Sequence, residues 1–246
     1  MAIVEKERDG RIGEIILNRI EKRNALNLEM ISDMITIFRE LTSDEGVRII
    51  SFRSSGPDFS VGADINELFH MNREDAVIFR GKMRELTSLI HDSDKITSFF
   101  LSGFSLGGGF EISQWGDFRI AGMDAKIGQP EINIGVNAGA GGNSMFPWLI
   151  GYSNALYLSL TGKIIDVQRA LQLGMIQEVV KNRVEYREIL LDMTEKSHGL
   201  IDDIKKSMRS VGEKGLMKSF DMEEEIFIKA VPSDESKMLM EKFLRK

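Results

Sequence analysis

Polar and apolar residues alternate from Ile3 to Glu7 and again from Ile12 to Leu17. That period of two, with Asp9-Gly10 between the runs, predicts two strands joined by a hairpin turn. Beyond them the period lengthens. Met30, Ile31, Met34, Ile35, Phe38 and Leu41 recur three and four apart, which gathers them on one face of a helix. Asn27 stands where it can cap that helix, and Glu29 falls in the first turn, where unpaired amides and the macrodipole favour an acid. Val47 to Phe52 reads as a strand, Asp64 to Phe69 and Arg73 to His91 as helices, and Ile96 to Leu101 as a strand. Glu111 to Trp115 then reads as a helix and Phe118 to Ala121 as a strand, while Ile132, Ile134 and Val136 alternate as on a strand leading to a loop. Short strands interleaved with helices predict an α/β core with a buried sheet, although the strand-strand-helix rhythm differs from the simple alternation of a doubly wound fold. From Glu185 to Lys246 only charged amphipathic segments remain, broken at Gly199, Gly212, Gly215 and Pro232. The expected organisation is therefore a core over residues 1–184 carrying the site and a helical region over 185–246.

Composition narrows the possible chemistry. With 38 acidic against 32 basic residues and a net charge of −6, nothing general attracts a nucleic acid, so any anion site must be local. The absence of cysteine excludes disulfides, thiolate metal ligands and a cysteine nucleophile, and suits a reducing compartment. His70, His91 and His198 are the only histidines, and none has a partner at metal-binding spacing, so no metal centre is expected. The first residues lack a hydrophobic signal core and no long apolar run occurs, which gives the expectation of a cytoplasmic protein with no membrane segment. The 14 methionines fall mainly at helical spacing, as Met30 and Met34 do, and read as core filler.

The chemically suggestive residues cluster in the middle of the chain. Glu111 follows Gly107-Gly108-Gly109-Phe110, and Glu131 lies in Gly128-Gln129-Pro130-Glu131, ahead of Gly139-Ala140-Gly141-Gly142. The first glycine cluster comes between a strand and a helix, so its amides open a helix N-terminus. An acid that moves protons near neutrality needs apolar surroundings or a second carboxylate to lift it from its usual value near ~4.3. Phe110, Ile112 and Trp115 supply the first condition for Glu111, while the dipole and glycine amides oppose it. The plain alternative is a helix-capping acid and a solvated loop acid. Gly103-Phe104-Ser105-Leu106-Gly107 also matches the Gly-x-Ser-x-Gly elbow of serine hydrolases, with Asp166 and His198 as later partners. His198, however, falls in the charged helical region, and no His-Gly-Gly segment precedes the elbow. Dinucleotide and P-loop fingerprints fail, because Ser144 and Tyr157 stand where glycines are required.

Taken together, these segments resemble the enoyl-CoA hydratase/isomerase (crotonase) superfamily from about Ile12 to Phe243. Four motifs carry the resemblance: Asn24-Ala25-Leu26 after Glu21-Lys22-Arg23, Val61-Gly62-Ala63-Asp64-Ile65, Gly107 to Glu111, and Gln129-Pro130-Glu131 with Gly139 to Gly142. The resemblance implies a spiral of β-β-α units with a C-terminal helical part used in forming trimers, often stacked as hexamers. It also implies an acyl-CoA substrate, with coenzyme A arriving as part of that substrate and no separate cofactor. By the same resemblance, Ala63 and Gly108 supply an oxyanion hole, Lys22 to Leu26 and Ala63 to Asn66, including Arg23, Asp64 and Ile65, hold CoA, and Gly139 helps hold a water. Glu111 and Glu131 would be the catalytic pair of a hydratase, with double-bond isomerisation or a non-catalytic acyl-CoA-binding role as alternatives. Departures occur at Ala138 for the usual proline, Asn143-Ser144-Met145 for Thr-Gln-Arg, and Ser102 for asparagine. These touch the acyl pocket wall. A chain that stops at Phe243-Leu244-Arg245-Lys246 implies weaker cover of CoA.

Overall fold

A computed structural model describes residues 2–214 and Met238. Two compact units divide at Leu191/Asp192. In the first, β1 (Val4–Asp9) and β2 (Ile12–Leu17) pair antiparallel, with Asp9 opposite Ile12. The turn is therefore Gly10-Arg11, one residue beyond the expected Asp9-Gly10, and Gly10 takes the positive φ of 58° that it requires. Every later pairing in the main sheet is parallel, in the order β1-β2-β3-β4-β6-β9, with β3 at Ile49–Ser54, β4 at Ile96–Leu101, β6 at Phe118–Gly122 and β9 at Glu178–Val180. Parallel neighbours need crossovers, and each crossover here carries helix. The first of them, α1 (Leu28–Ser43), buries the six apolar residues read from the sequence, and Asn27 Oδ1 accepts from the Met30 amide at 2.9 Å. Both faces of β3 and β4 are buried, and Phe52 stacks on Phe99 with centroids 4.5 Å apart at the centre of the core.

Two helices, α2 (Ile65–His70) and α3 (Arg73–Asp92), link β3 to β4. Asn72 and Asp75 close a reciprocal capping box that starts α3. A second, small sheet joins β5 (Phe104–Leu106), β7 (Lys126–Gly128) and β8 (Ile165–Asp166) in that order. From β5 the chain runs directly into α4 (Gly107–Gln114), so the glycine cluster is the first turn of the helix rather than its lead-in. Main-chain bridges tie these pieces together: Leu26 pairs with Ala63, and Ser60 with Ser105. After β7, residues Glu131–Ile134 form one 3-10 turn closed by Gly135 in the left-handed region. The alternation of Ile132, Ile134 and Val136 is thus not a strand. All three are exposed, at 48, 49 and 42%, with no strand paired to them among the described residues. The crossover to β9 runs through α5 (Gly142–Ile150), α6 (Tyr152–Thr161) and α7 (Val167–Leu173).

Arg119 is the largest fully buried side chain. On β6, it donates from Nε to the Met175 carbonyl at 2.7 Å and from Nη1 to the Ser113 and Gly116 carbonyls at 2.9 and 3.3 Å. It thereby caps the C-terminal end of α4, where a cation is favoured by unpaired carbonyls. In the second unit the described residues form the helix α9 (His198–Lys214), preceded by α8 (Arg183–Thr194), which crosses the division. The rest of the expected helical region lies outside the described residues, as does the Phe243 to Lys246 end.

Candidate active site

Backbone geometry builds one half of the site. The Leu26 amide donates to the Gly62 carbonyl at 2.8 Å and the Asp64 amide to the Leu26 carbonyl at 2.9 Å. That leaves the Ala63 amide between them with no acceptor among the described residues. The Gly108 amide lies in the first turn of α4, where no carbonyl precedes it at helical spacing. A methyl group built on Gly108 would stand 3.7 Å from the Ala63 nitrogen, and one on Gly62 3.3 Å from the Gly108 nitrogen. The two free amides are therefore neighbours. They open on a cavity of about 430 Å³ that also receives both glutamates.

Glu111 enters from α4 and is 2% exposed. Its Oε2 accepts from the amides of Ala140 and Gly142 at 2.8 and 2.9 Å, and its Oε1 from Gly139 at 3.2 Å. A side chain at 142 would begin 2.7 Å from Glu111 Cγ, so only glycine lets the loop approach this closely. Trp115, one turn further along α4, holds the same loop from behind. Its indole N–H donates to the Ala140 carbonyl at 2.8 Å, and its ring leaves no space for a side chain at Gly141, where φ is +86°. Neither contact was read from the sequence, because the partners are 25 residues apart and an aromatic at helical spacing signals only an apolar face.

Glu131 opens the 3-10 turn, and its Oε1 is buried with no donor. Burial, then the charge of Glu111, push Glu131 up to about 7. Burial also raises Glu111, against the opposing pull of the Gly142, Ala140 and Gly139 amides. Both carboxyl groups line the same cavity, and the charge of Glu111 disfavours ionisation of Glu131. One proton on the pair relieves that repulsion. Three amides donate to Glu111 and so hold it as the acceptor, which leaves the proton on Glu131 near neutrality.

The other residues singled out in the sequence fall into three groups. Lys22, Asp64 and Asn66 line a groove of about 560 Å³ that shares Met71 and Phe79 with the cavity. Ala63 and Ile65 line the cavity itself. Asn24, Ala25 and Leu26 are buried and act as a brace. Asn24, at a φ of 54°, donates to Ser54 Oγ and the Asp58 carbonyl at 2.8 and 2.9 Å, while the Ala25 carbonyl accepts from Arg19. Arg23 is committed to Asp58 at 2.7 Å and lies over the Phe104 ring. Gly139 meets Glu111 directly, so the amide expected at a water is given to that carboxyl group instead. The serine-hydrolase alternative fails. Ser105 is 0% exposed and its hydroxyl donates to the Ser102 carbonyl at 3.3 Å, so the elbow pattern marks a packed strand-to-helix turn and not a nucleophile. Among the described residues no cluster suited to a metal ion occurs, and no helix is long and apolar enough to cross a membrane.

Two neighbouring free amides and two carboxyl groups thus open on one cavity of an α/β fold, and comparison with known proteins places the chain in a family. The profile of the Enoyl-CoA hydratase/isomerase family matches residues 7–246, and the chain belongs to that family. It is 32% identical over 180 residues to the crotonyl-CoA hydratase of Syntrophomonas wolfei, covering 73% of this chain and 68% of that one. The short-chain-enoyl-CoA hydratase of Clostridium acetobutylicum is also 32% identical, over 71% of this chain and 67% of its own length. Among solved structures, the enoyl-CoA hydratase of Thermoplasma volcanium superposes with a TM-score of 0.93 at 39% identity, over 98% of this chain and 96% of that one. The fold is the crotonase fold.

Proposed function

We propose that the chain is an enoyl-CoA hydratase. The observation that carries this reading is the meeting, in one cavity, of two free amides with two carboxyl groups, Glu111 accepting from three loop amides and Glu131 raised to about 7. The thioester oxygen sits between the Ala63 and Gly108 amides. As negative charge builds on that oxygen, an aimed amide in a water-poor site stabilises it by roughly 3 kcal/mol. Glu111, the carboxylate, takes a proton from water as the water oxygen bonds to Cβ. The π electrons move toward the thioester, and Glu131, the acid, gives its proton to Cα. The cycle ends with the proton on Glu111 instead of Glu131, and exchange within the pair or with solvent restores the start.

Coenzyme A enters as part of the substrate, its polar portion following the groove that contains Lys22, Asp64 and Asn66. Asp64 is itself fixed there. Although burial raises it, the Arg19 guanidinium at 2.7 Å and nearby amides hold it below the usual carboxylate range. Self-association into a trimer or hexamer has support in exposed Trp148, Tyr152 and Leu160 on α5 and α6.

Loss of the enoyl thioester absorbance of crotonyl-CoA, with formation of the 3-hydroxyacyl product, is the expected result. No turnover of crotonyl-CoA or longer 2-enoyl thioesters would refute hydration. A second reading, double-bond isomerisation by Glu131 alone, has support in the unpartnered Oε1 of that residue. It predicts conversion of 3-enoyl thioesters that outpaces hydration. Trp115→Phe tests the loop behind Glu111. Losing the indole donor loosens the Gly139 to Gly142 amides, so Glu111 binds its proton more tightly. The acidic limb of the kcat–pH profile should then move up by roughly half a unit to one unit, the worth of one hydrogen bond. An unmoved limb would assign Trp115 to packing alone.

A further inference from the structure

The hydratase reading leaves one charged side chain of the cavity without a task. Ala76, Phe79, Arg80 and Met83 all line the cavity from α3, at a spacing that sets them on one stripe of the helix. Three are apolar and the fourth is an arginine. Among the described residues Arg80 is the only cation lining the cavity, and it has no ion-pair or hydrogen-bond partner there. Its own helix offers none, since the residues three and four away are Val77, Ala76, Met83 and Arg84. Of the nearby cations, Arg19, Arg23 and Lys82 are each bound to a carboxylate at 2.7 Å, while Lys22, Arg73 and Arg84 line the groove or the outer face of α3 and not the cavity. Arg80 stands beside Phe79, where the cavity and the groove meet. Met83 marks the oxyanion end, its Cε lying 3.3 Å from where a Gly108 side chain would begin. Arg80 is three residues back along α3, roughly 4.5 Å along the axis at the usual helical rise.

Resting on the hydratase reading, we propose that Arg80 makes this cavity a site for enoyl thioesters whose short acyl chain ends in a carboxylate, the mono-thioesters of enedioic acids. A guanidinium matches a carboxylate with two parallel hydrogen bonds. Arg80 is exposed at the cavity wall, so water screens part of that pairing until a bound acyl chain covers it. The acid pair already holds one negative charge near neutrality, so a second anion in the cavity requires a cation opposite it. The same anion chemistry exists in the phosphates of CoA, but every CoA thioester carries those equally.

The test compares the CoA thioesters of pent-2-enedioic and pent-2-enoic acid, which differ at the far end only. In Arg80→Met the ratio of kcat/KM for the carboxylated over the neutral substrate should fall by roughly ten- to a hundredfold, with Arg80→Lys intermediate. An unchanged ratio overturns the proposal, including the case in which both values fall together because Arg80 serves the CoA phosphates. Calorimetric binding of the saturated thioesters of pentanedioic and pentanoic acid separates the two claims. A binding preference for the dioic thioester that Arg80→Met abolishes sustains the role of Arg80 even if nothing is hydrated. Turnover of both enoyl thioesters with no such preference removes the role and leaves the hydratase.

Discussion

Replacing Glu131 by Gln lowers the rate of crotonyl-CoA hydration by about a hundred- to ten-thousandfold while substrate binding is retained, since the variant keeps the shape of the acid without its proton. The cavity, the two free amides and the seat of Glu111 do not depend on that proton. A comparable loss in Glu111→Gln, with a double variant no worse than either single one, would mark the pair as one unit. In the wild type, kcat/KM should fall as the pH rises past about 7, where Glu131 loses its proton. The sign for stability follows the same titration. Glu131 is raised from 4.5 to about 7, so its contribution is fully present below about 4.5 and is lost as the pH climbs to 7. Glu131→Gln, neutral throughout, escapes that loss. Its urea midpoint should exceed that of the wild type at pH 8 by more than at pH 4. Wild-type activity in Glu131→Gln would remove the acid from the mechanism.

The largest expected loss of stability comes from Arg119→Met. Methionine fills much of the same volume but donates nothing, so the carbonyls of Met175, Ser113 and Gly116 lose their shared donor inside the core. The Ser113 carbonyl keeps the Gly116 amide, whereas an acceptor left alone, as at Met175 and Gly116, costs about 1–3 kcal/mol. Relief from burying a charge offsets part of this. The offset is limited, because burial depresses Arg119 only to about 10, well above neutrality, with the charge of Asp117 pulling the other way. A net loss of roughly 3 kcal/mol is expected, read as a lower urea midpoint at unchanged m. A shift of under about 1 kcal/mol would show the carbonyls finding other donors. Because Arg119 caps the helix that carries Glu111, activity at temperatures below the transition reports whether the cap also sets the acid's position.

Local patterns were legible where local physics decides. The period of Met30 to Leu41 and the cap at Asn27 need nothing beyond their own helix, and both stand as read. Where a distant segment decides, the pattern misled or stayed silent. Ile132, Ile134 and Val136 alternate, yet no strand is paired to them among the described residues. The Ser105 elbow matches a motif in sequence but is sealed by the neighbouring Ser60 strand segment, with which it bridges. The sign of the shift at Glu111 depends on how completely the 139–142 loop covers it, a quantity no spacing encodes. β8 and β9 are two and three residues long, too short for any periodicity to register. The glutamates and glycines of the site were recognisable through family likeness, whereas the upward push on Glu131 emerges only when its burial and the nearby charge of Glu111 are seen.

The brace between Leu26 and Ala63 has an evolutionary consequence. It is made of peptide groups, and so is the positive pole it supports. Exchanging the apolar side chains around the acyl end leaves that pole in place, provided the glycines beside it remain. Chains of this architecture can therefore acquire new substrates by altering a few wall positions, with the machinery that absorbs the growing charge inherited intact.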